Sequence, residues 1–212
     1  LLQRIPRLQV IEIDRDLIAR LHTEFTPEQI TIHGYDALKF DFGGVGPRLR
    51  VIGNLPYNIS TPLLFHLAEY VSCIMDMHFM LQKEVVARMA AAPSSAAYGR
   101  LSVMLQYLFQ IEALFDVPPE AFHPAPKVTS SFVRLVPHQP LPHRAQDPLI
   151  FAKIVTAAFS ARRKTLRNTL KSYLKETDYP ALALDPQLRA ENLDVATYVN
   201  IANYVRLQGE HV

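Results

Sequence analysis

Val10-Ile11-Glu12-Ile13-Asp14-Arg15-Asp16-Leu17-Ile18-Ala19-Arg20-Leu21-His22-Thr23-Glu24-Phe25 changes its hydrophobic period half-way along. Val10 to Ile13 is a short apolar run of the kind a buried strand needs. From Asp14 to Phe25 the apolar positions Leu17, Ile18, Leu21 and Phe25 recur at three- and four-residue spacing, which predicts an amphipathic helix. The same succession continues outward. Ile30-Thr31-Ile32 reads as a second strand, and Arg50-Val51-Ile52 as a third that ends at Gly53-Asn54. Pro62 to Val71 reads as a helix with Leu63, Leu64, Leu67 and Val71 on one side. Met77 to Leu81 is a fourth strand and Lys83 to Ala92 another helix. Residues 101–117 are expected to be helix and then strand, and Ser130 to Val136 closes the region as a strand. Strand–helix alternation predicts an α/β fold with a mainly parallel sheet covered on both faces. Ligands of such sheets lie beyond the carboxyl ends of the strands.

Val136-Pro137-His138-Gln139-Pro140-Leu141-Pro142-His143 holds three prolines and predicts a linker. It divides a first domain, residues 1–140, from a small all-helical one, residues 146–212. In the latter, Phe151, Ile154, Val155, Ala158 and Phe159 form one apolar stripe. Leu166, Leu170, Tyr173 and Leu174 form another, with Lys164, Arg167, Lys171 and Lys175 expected on its opposite side. Whether one helix or two passes through Ser160-Ala161-Arg162 stays open. Asp194 to Leu207 is expected to be the last helix.

The 212 residues are 49% apolar, so the chain is expected to be globular. No apolar run is long enough to span a bilayer, and Leu1-Leu2-Gln3-Arg4-Ile5-Pro6 lacks the layout of a signal peptide. Cys73 is the only cysteine, which suits a reducing, cytoplasmic setting. Net charge is only +2, but its distribution is uneven. Residues 1–145 carry 13 Lys/Arg and 13 Asp/Glu, whereas residues 153–175 carry seven cations and no acid. That run predicts contact with a polyanion; its plainer reading is a solvated face.

Few residues suggest chemistry. Glu12, near the end of an apolar strand, can accept hydrogen bonds from two ribose hydroxyls; the plainer reading is a solvated strand end. Asp36 can accept from the amine of a cofactor adenine, or simply serve a turn. Asn54-Leu55-Pro56-Tyr57 follows a strand directly and falls at the ligand edge. The lone pair of an adenine N6 is delocalised into the ring. Acceptors that hold both N6 hydrogens would redirect it toward a methyl donor, and the Asn54 side-chain oxygen and a Leu55-Pro56 carbonyl can supply them. Pro56 stiffens the loop, and Tyr57 offers a face on which an extruded base stacks. The alternative is an ordinary proline turn with a core tyrosine. Phe122, heading the stiff and extended stretch Phe122-His123-Pro124-Ala125-Pro126-Lys127, is a candidate second stacking ring or a core residue. Walker-type loops, Cys/His metal spacing and Gly-x-Ser-x-Gly elbows do not occur, so no metal is expected.

Together these segments resemble the KsgA/RsmA family of rRNA adenine dimethyltransferases over nearly the whole chain. Val10–Asp16, Tyr35-Asp36-Ala37-Leu38 and Gly53–Thr61 look like its second, third and fourth motifs. Leu81–Val85, Tyr98–Ser102, Pro124–Val128 and the run from Ala158 to Asn168 extend the match. The resemblance implies a Rossmann-like class I methyltransferase sheet that uses S-adenosylmethionine (SAM). Glu12, Ile13, Asp36, Ala37 and Asn54 would hold the cofactor. Asn54, Leu55, Pro56, Tyr57 and Phe122 would hold and present the base. Lys127, Arg162, Arg163, Lys164, Arg167 and Lys171 would contact RNA. The implied target is a pair of adjacent adenines in the 3′-terminal hairpin of small-subunit rRNA, within the immature subunit, with the protein a monomer.

One departure stands out. Family members begin with a strand, a Gly-rich turn and a helix that hold the methionine part of SAM, whereas this chain starts just before the second strand. The expectation is an N-terminally short sheet with two exposed hydrogen-bonding edges and impaired SAM binding by these 212 residues alone. Two alternatives follow: a catalytically impaired ribosome-assembly or RNA-binding factor, and an erythromycin-resistance-type methyltransferase of large-subunit rRNA.

Overall fold

The computed structural model describes residues 1–209; the last three residues of the expected helical region, 210–212, lie outside the described residues. The chain divides into two compact units, one of residues 1–47 and 58–73, the other of residues 48–57 and 74 onward.

The first unit holds β1 (Leu8–Glu12), α1 (Arg15–Glu24), β2 (Ile30–Gly34) and α2 (Ser60–Glu69). Strands β1 and β2 pair in parallel, with Glu12 opposite Gly34. The change of period after Ile13 is enforced by Asp14, whose carboxylate accepts from the N–H groups of Asp16 and Leu17 and so caps α1. Strand β1 is only partly buried, not buried as its composition predicts, because β2 is its single strand neighbour among the described residues. Helix α2 begins two residues before Pro62, placing the proline in its first turn, where a missing N–H costs nothing. An aromatic cluster joins α2 to the segment after β2: Phe42 lies 5.1 Å from Phe40, 5.8 Å from His66 and 5.6 Å from Tyr70 between ring centroids. His66 Nε2 also lies 2.9 Å from the Phe40 carbonyl oxygen.

The second unit holds β3 (Leu49–Asn54), β4 (Ile74–Gln82), α3 (Lys83–Met89), α4 (Arg100–Leu108), β5 (Phe109–Val117) and β6 (Ser130–Pro137). Its sheet has the order β3-β4-β6-β5. The β3–β4 pair is parallel, but β4–β6 and β5–β6 are antiparallel, so the expected mainly parallel sheet is corrected to a mixed one. Only the short 3-10 turn Pro119–Ala121 lies between β5 and β6, and a strand that returns without a crossover helix runs antiparallel. Nor are both faces covered throughout: Glu112 to Asp116 of β5 are exposed. Helix α3 stops at Met89, three residues short of expectation, ahead of Pro93. The proline linker starts two residues late, since Val136 and Pro137 are still paired, at the very end of β6, with Gln110 and Phe109.

Beyond the linker run α5 (Pro148–Ala158), α6 (Leu166–Thr169), α7 (Asp178–Ala181) and α8 (Val195–Gly209). Asp147 caps α5 by accepting from Leu149 and Ile150 N–H. The α5 stripe of Phe151, Ile154, Val155 and Ala158 is buried in one hydrophobic cluster with Tyr198 and Ile201 of α8 and with Tyr98, Val103 and Tyr107 around α4. Burial raises the Tyr98 and Tyr198 phenols above their ordinary pKa; each hydroxyl donates to a backbone carbonyl, of Leu193 and Ala190 respectively. The chain breaks between α5 and α6, and α6 is a single turn. Leu166, Leu170 and Leu174 are buried at four-residue spacing, but the Lys175 N–H is taken by Asp178 Oδ2 at 2.6 Å. The expected basic helix is therefore corrected to one helical turn followed by tight turns, so Lys164, Arg167, Lys171 and Lys175 do not line up along one helix. Among the described residues no helix is long and apolar enough to cross a membrane.

Asp76 on β4 is 3% exposed and is held by two 2.8 Å bonds from Arg50 on β3. Hydrogen bonding from Arg50 holds its carboxyl below the usual carboxylate range against the opposing effect of burial. A depressed folded-state pKa contributes stability that is present above the unfolded pKa and is lost as pH falls through the folded one. Arg50→Met should be destabilising near neutrality, since it removes both hydrogen bonds from a buried carboxylate and leaves it, among the described residues, only His78 Nδ1 at 3.6 Å. Urea denaturation of both proteins checks this: the gap should narrow in acid, and a gap independent of pH would assign the loss to packing.

Candidate active site

Parallel pairing brings the carboxyl ends of β1 and β2 to one edge, where the Tyr35 N–H donates to the Glu12 carbonyl at 3.1 Å. Glu12 is half-buried, and its Oε1 accepts from the N–H groups of Ile13 and Asp14 at 2.8 and 2.9 Å. These bonds fold the carboxylate back over the start of the loop. Ile13 is 66% exposed, an unusual position for an isoleucine beside a carboxylate. Two residues past β2, Asp36 Oδ1 accepts from the Leu38 N–H at 3.0 Å in an Asx-type turn, with Ala37 half-buried beside it. Asp36 is thus a turn residue, but the turn occupies only one of its oxygens. This edge of the first unit brings together Glu12, Ile13, Asp36 and Ala37. Two carboxylates, each fixed by backbone N–H groups through one oxygen, stand beside an exposed apolar side chain. That donor set fits a nucleoside: acceptors for ribose hydroxyls and an exocyclic amine, and a surface for a ring.

In the second unit, alternation along β3 leaves Asn54 exposed at the strand's carboxyl end. Leu55 turns the other way: its side chain is buried and its N–H donates to the Met80 carbonyl on β4 at 3.3 Å. Pro56 and Tyr57 emerge again into solvent. A side chain at Gly53 would press on this anchor, since a Cβ there would lie 3.0 Å from Leu55 Cδ2 and 3.6 Å from Phe79. Tyr57 is 37% exposed, and its hydroxyl lies 2.9 Å from Ser130 Oγ at the start of β6. The tyrosine is therefore neither a core residue nor loose on the surface. Phe122 is half-buried and ends the 3-10 turn Pro119–Ala121. The segment it heads bends at residues 122–124 and 127–128, which corrects the expected straight extension. Its base is clamped: Asp116 at the end of β5 meets Lys83 Nζ at 2.6 Å and accepts from Ser131 Oγ. The lysine and then the serine hold the Asp116 carboxyl below its ordinary range.

The basic residues fall into two groups. Lys127, Arg163, Lys164 and Lys171 are exposed and make no ion pair among the described residues. Arg162 and Arg167 are engaged within the fold. The Arg162 guanidinium donates to the Ala96 carbonyl and lies 3.5 Å from Glu191, and Arg167 meets Glu176 at 2.8 Å. The acids missing from residues 153–175 are thus supplied from just beyond that run and from the loop before α8.

Residues 1–207 match the model of the ribosomal RNA adenine dimethylase family. The chain belongs to that family. It is 62% identical over 205 residues to the ribosomal RNA small subunit methyltransferase A of Methylobacillus flagellatus, a match covering 97% of this chain and 80% of that one. Its identity to the protein of the same name from Aromatoleum aromaticum is also 62%, covering 97% and 77%. A solved dimethyladenosine transferase from Plasmodium falciparum superposes with a TM-score of 0.79 at 23% identity, covering 96% of this chain and 83% of that one. The 23S rRNA methyltransferase ErmE gives 0.69 at 17% identity, covering 94% and 82%. These two likenesses bear on the fold, which is the Rossmann-like fold of class I SAM-dependent methyltransferases. The activity is that of the family: SAM-dependent dimethylation of adenine in ribosomal RNA.

Around the candidate site of this rRNA dimethylase, sequence reading quoted Gly53 only as part of a motif, without its packing role, and missed Ser130 and Arg189. Gly53 carries no signal beyond its place at a strand end, and Ser130 lies 73 positions from the tyrosine it meets. Arg189 is brought beside Thr165 by a backbone bridge, so an exposed arginine joins the basic segment from outside it. The division of the basic residues has a measurable consequence. Arg162→Ala should lower stability by about 1 kcal/mol, the worth of a carbonyl bond plus a surface pair. Lys164→Ala and Lys171→Ala should leave the melting temperature unchanged, and equal losses in all three would erase the distinction.

Proposed function

We propose that this chain dimethylates N6 of two adjacent adenines in the 3′-terminal hairpin of small-subunit rRNA, acting as a cytoplasmic monomer on the immature subunit. Residues 1–140 would carry methyl transfer and residues 146–212 would dock the RNA. The observation that carries this reading is the Asn54–Tyr57 corner, with Asn54 and Tyr57 exposed on either side of a buried Leu55 and an exposed proline. Support for the small subunit comes from relatives named small subunit methyltransferase A.

Glu12 and Asp36 would hold the ribose hydroxyls and the adenine amine of SAM, with Ile13 and Ala37 against the ring. When bound, SAM supplies a methyl group already activated by its sulfonium. The protein's own task is to present the nitrogen. The Asn54 side-chain oxygen and a carbonyl of Leu55-Pro56 accept both N6 hydrogens and draw the nitrogen away from its planar, conjugated shape. Pro56 has no N–H to compete for those acceptors. Tyr57 and Phe122 take the faces of the extruded base, which repays part of the cost of unstacking it. Positioning of this kind accounts for the rate without a side-chain base, because the nitrogen becomes acidic as it is alkylated. Lys127, Arg163, Lys164 and Lys171 contact phosphates, and Arg162 and Arg167 shape the segment that presents them.

Labelled methyl transfer to immature small subunits, followed by nucleoside analysis, tests the assignment; no N6-dimethyladenosine in the product would refute it. Asn54→Ala should slow single turnover by about 100-fold, comparable to removing one electrostatic contact made in a transition state. Tyr57→Ala should cost about 10- to 100-fold, the worth of one stacked base. RNA affinity should change little in either. Lys164→Ala and Lys171→Ala should instead weaken RNA binding and each lower the salt slope by about 1. Unaltered slopes would return those lysines to the solvated surface.

A further inference from the structure

Tyr57 presents its ring to solvent but sends its hydroxyl to a fixed point. Ser130 is 1% exposed, and its Oγ lies 2.9 Å from the Tyr57 oxygen. The serine opens β6, a strand with neighbours on both sides, so its backbone is paired opposite Gln82 on β4 and Val117 on β5. The residue before it is pinned as well, since the Lys83 N–H donates to the Thr129 carbonyl at 3.0 Å. The residue after it, Ser131, bonds to Asp116, which Lys83 also holds.

A tyrosine ring that is 37% exposed keeps some freedom among its side-chain rotamers. A hydrogen bond at the far end of the ring narrows that freedom further. We propose that Ser130 is a positioning residue for methyl transfer: it orients the Tyr57 ring, and through it the plane of the stacked adenine. This rests on the reading that Tyr57 stacks the target base. The tether acts on geometry after the RNA is bound, so its loss appears in turnover and not in RNA affinity. Small displacements of a reacting atom are costly, on the order of 100-fold for about 1 Å, and a ring that tilts without leaving costs less.

A double-mutant cycle on the whole protein tests the tether. Tyr57→Phe keeps the stacking face and removes the hydroxyl; Ser130→Ala keeps the strand and removes the anchor. Each should lower kcat about tenfold with KM for RNA unchanged, and the double variant should be no slower than the slower single one, because one bond is lost only once. Wild-type turnover in Tyr57→Phe overturns the proposal, and so does a double variant whose loss is the product of the two single losses. If Ser130→Ala does not fold, Tyr57→Phe alone still decides. Tyr57→Ala separates the two levels of argument: if it turns over normally, the stacking reading falls and the tether with it. If it is slow while Tyr57→Phe is normal, only the tether falls.

Discussion

The hydrogen bond from the Leu55 N–H to the Met80 carbonyl prolongs β3 by one residue past its last exposed side chain. Everything at the corner depends on that extra step. Strand alternation demands that the neighbour of an outward Asn54 point inward, and Leu55 fills that place with a buried side chain. The chain is then committed to leave the sheet at Pro56, with its carbonyls near the asparagine and its next aromatic in solvent. Gly53 makes room for the anchor from the other side. A polar residue at position 55 would lose the burial that holds the turn, and the asparagine would keep its chemistry without its aim.

Much of this was legible in the sequence because the signals are local. A strand followed by a helix announces itself by a change of period. A carboxylate at a strand's carboxyl end is a local oddity, and Glu12 and Asp36 both stand where the pattern places them. The Asn54–Tyr57 string could be read as a candidate site because it directly follows a strand. Pairing partners were not legible. Strands β5 and β6 carry ordinary strand composition, and only the missing crossover between them makes the sheet mixed. The same limit hid Ser130: one serine among others acquires meaning only when β6 sets it beside a tyrosine 73 residues away.

Charge was legible only in part, and for the same reason. A run of seven cations without an acid describes the chain, but electrostatics depends on distance in space. Glu176 and Glu191 approach Arg167 and Arg162 from outside the run, and Arg189 joins it through the bridge to Thr165. The periodic helix expected there ends at Thr169 and gives way to turns, in which Asp178 accepts from the Lys175 N–H. Basic character survives; its arrangement as a stripe does not.

The first compact unit is interrupted in sequence: residues 48–57 belong to the other unit and separate α2 from the strands it accompanies. During synthesis this order matters. The aromatic contacts of His66 and Tyr70 with Phe42 are complete only when residue 70 has left the ribosome, and by then β3 has already emerged without β4, its parallel partner. The first unit is complete in sequence once residue 73 has emerged, whereas the other still awaits β4 and everything after it. Translation leaves β3 without its partner for the time needed to make some twenty further residues, an interval set by topology alone in which a strand edge of the nascent polypeptide stands open.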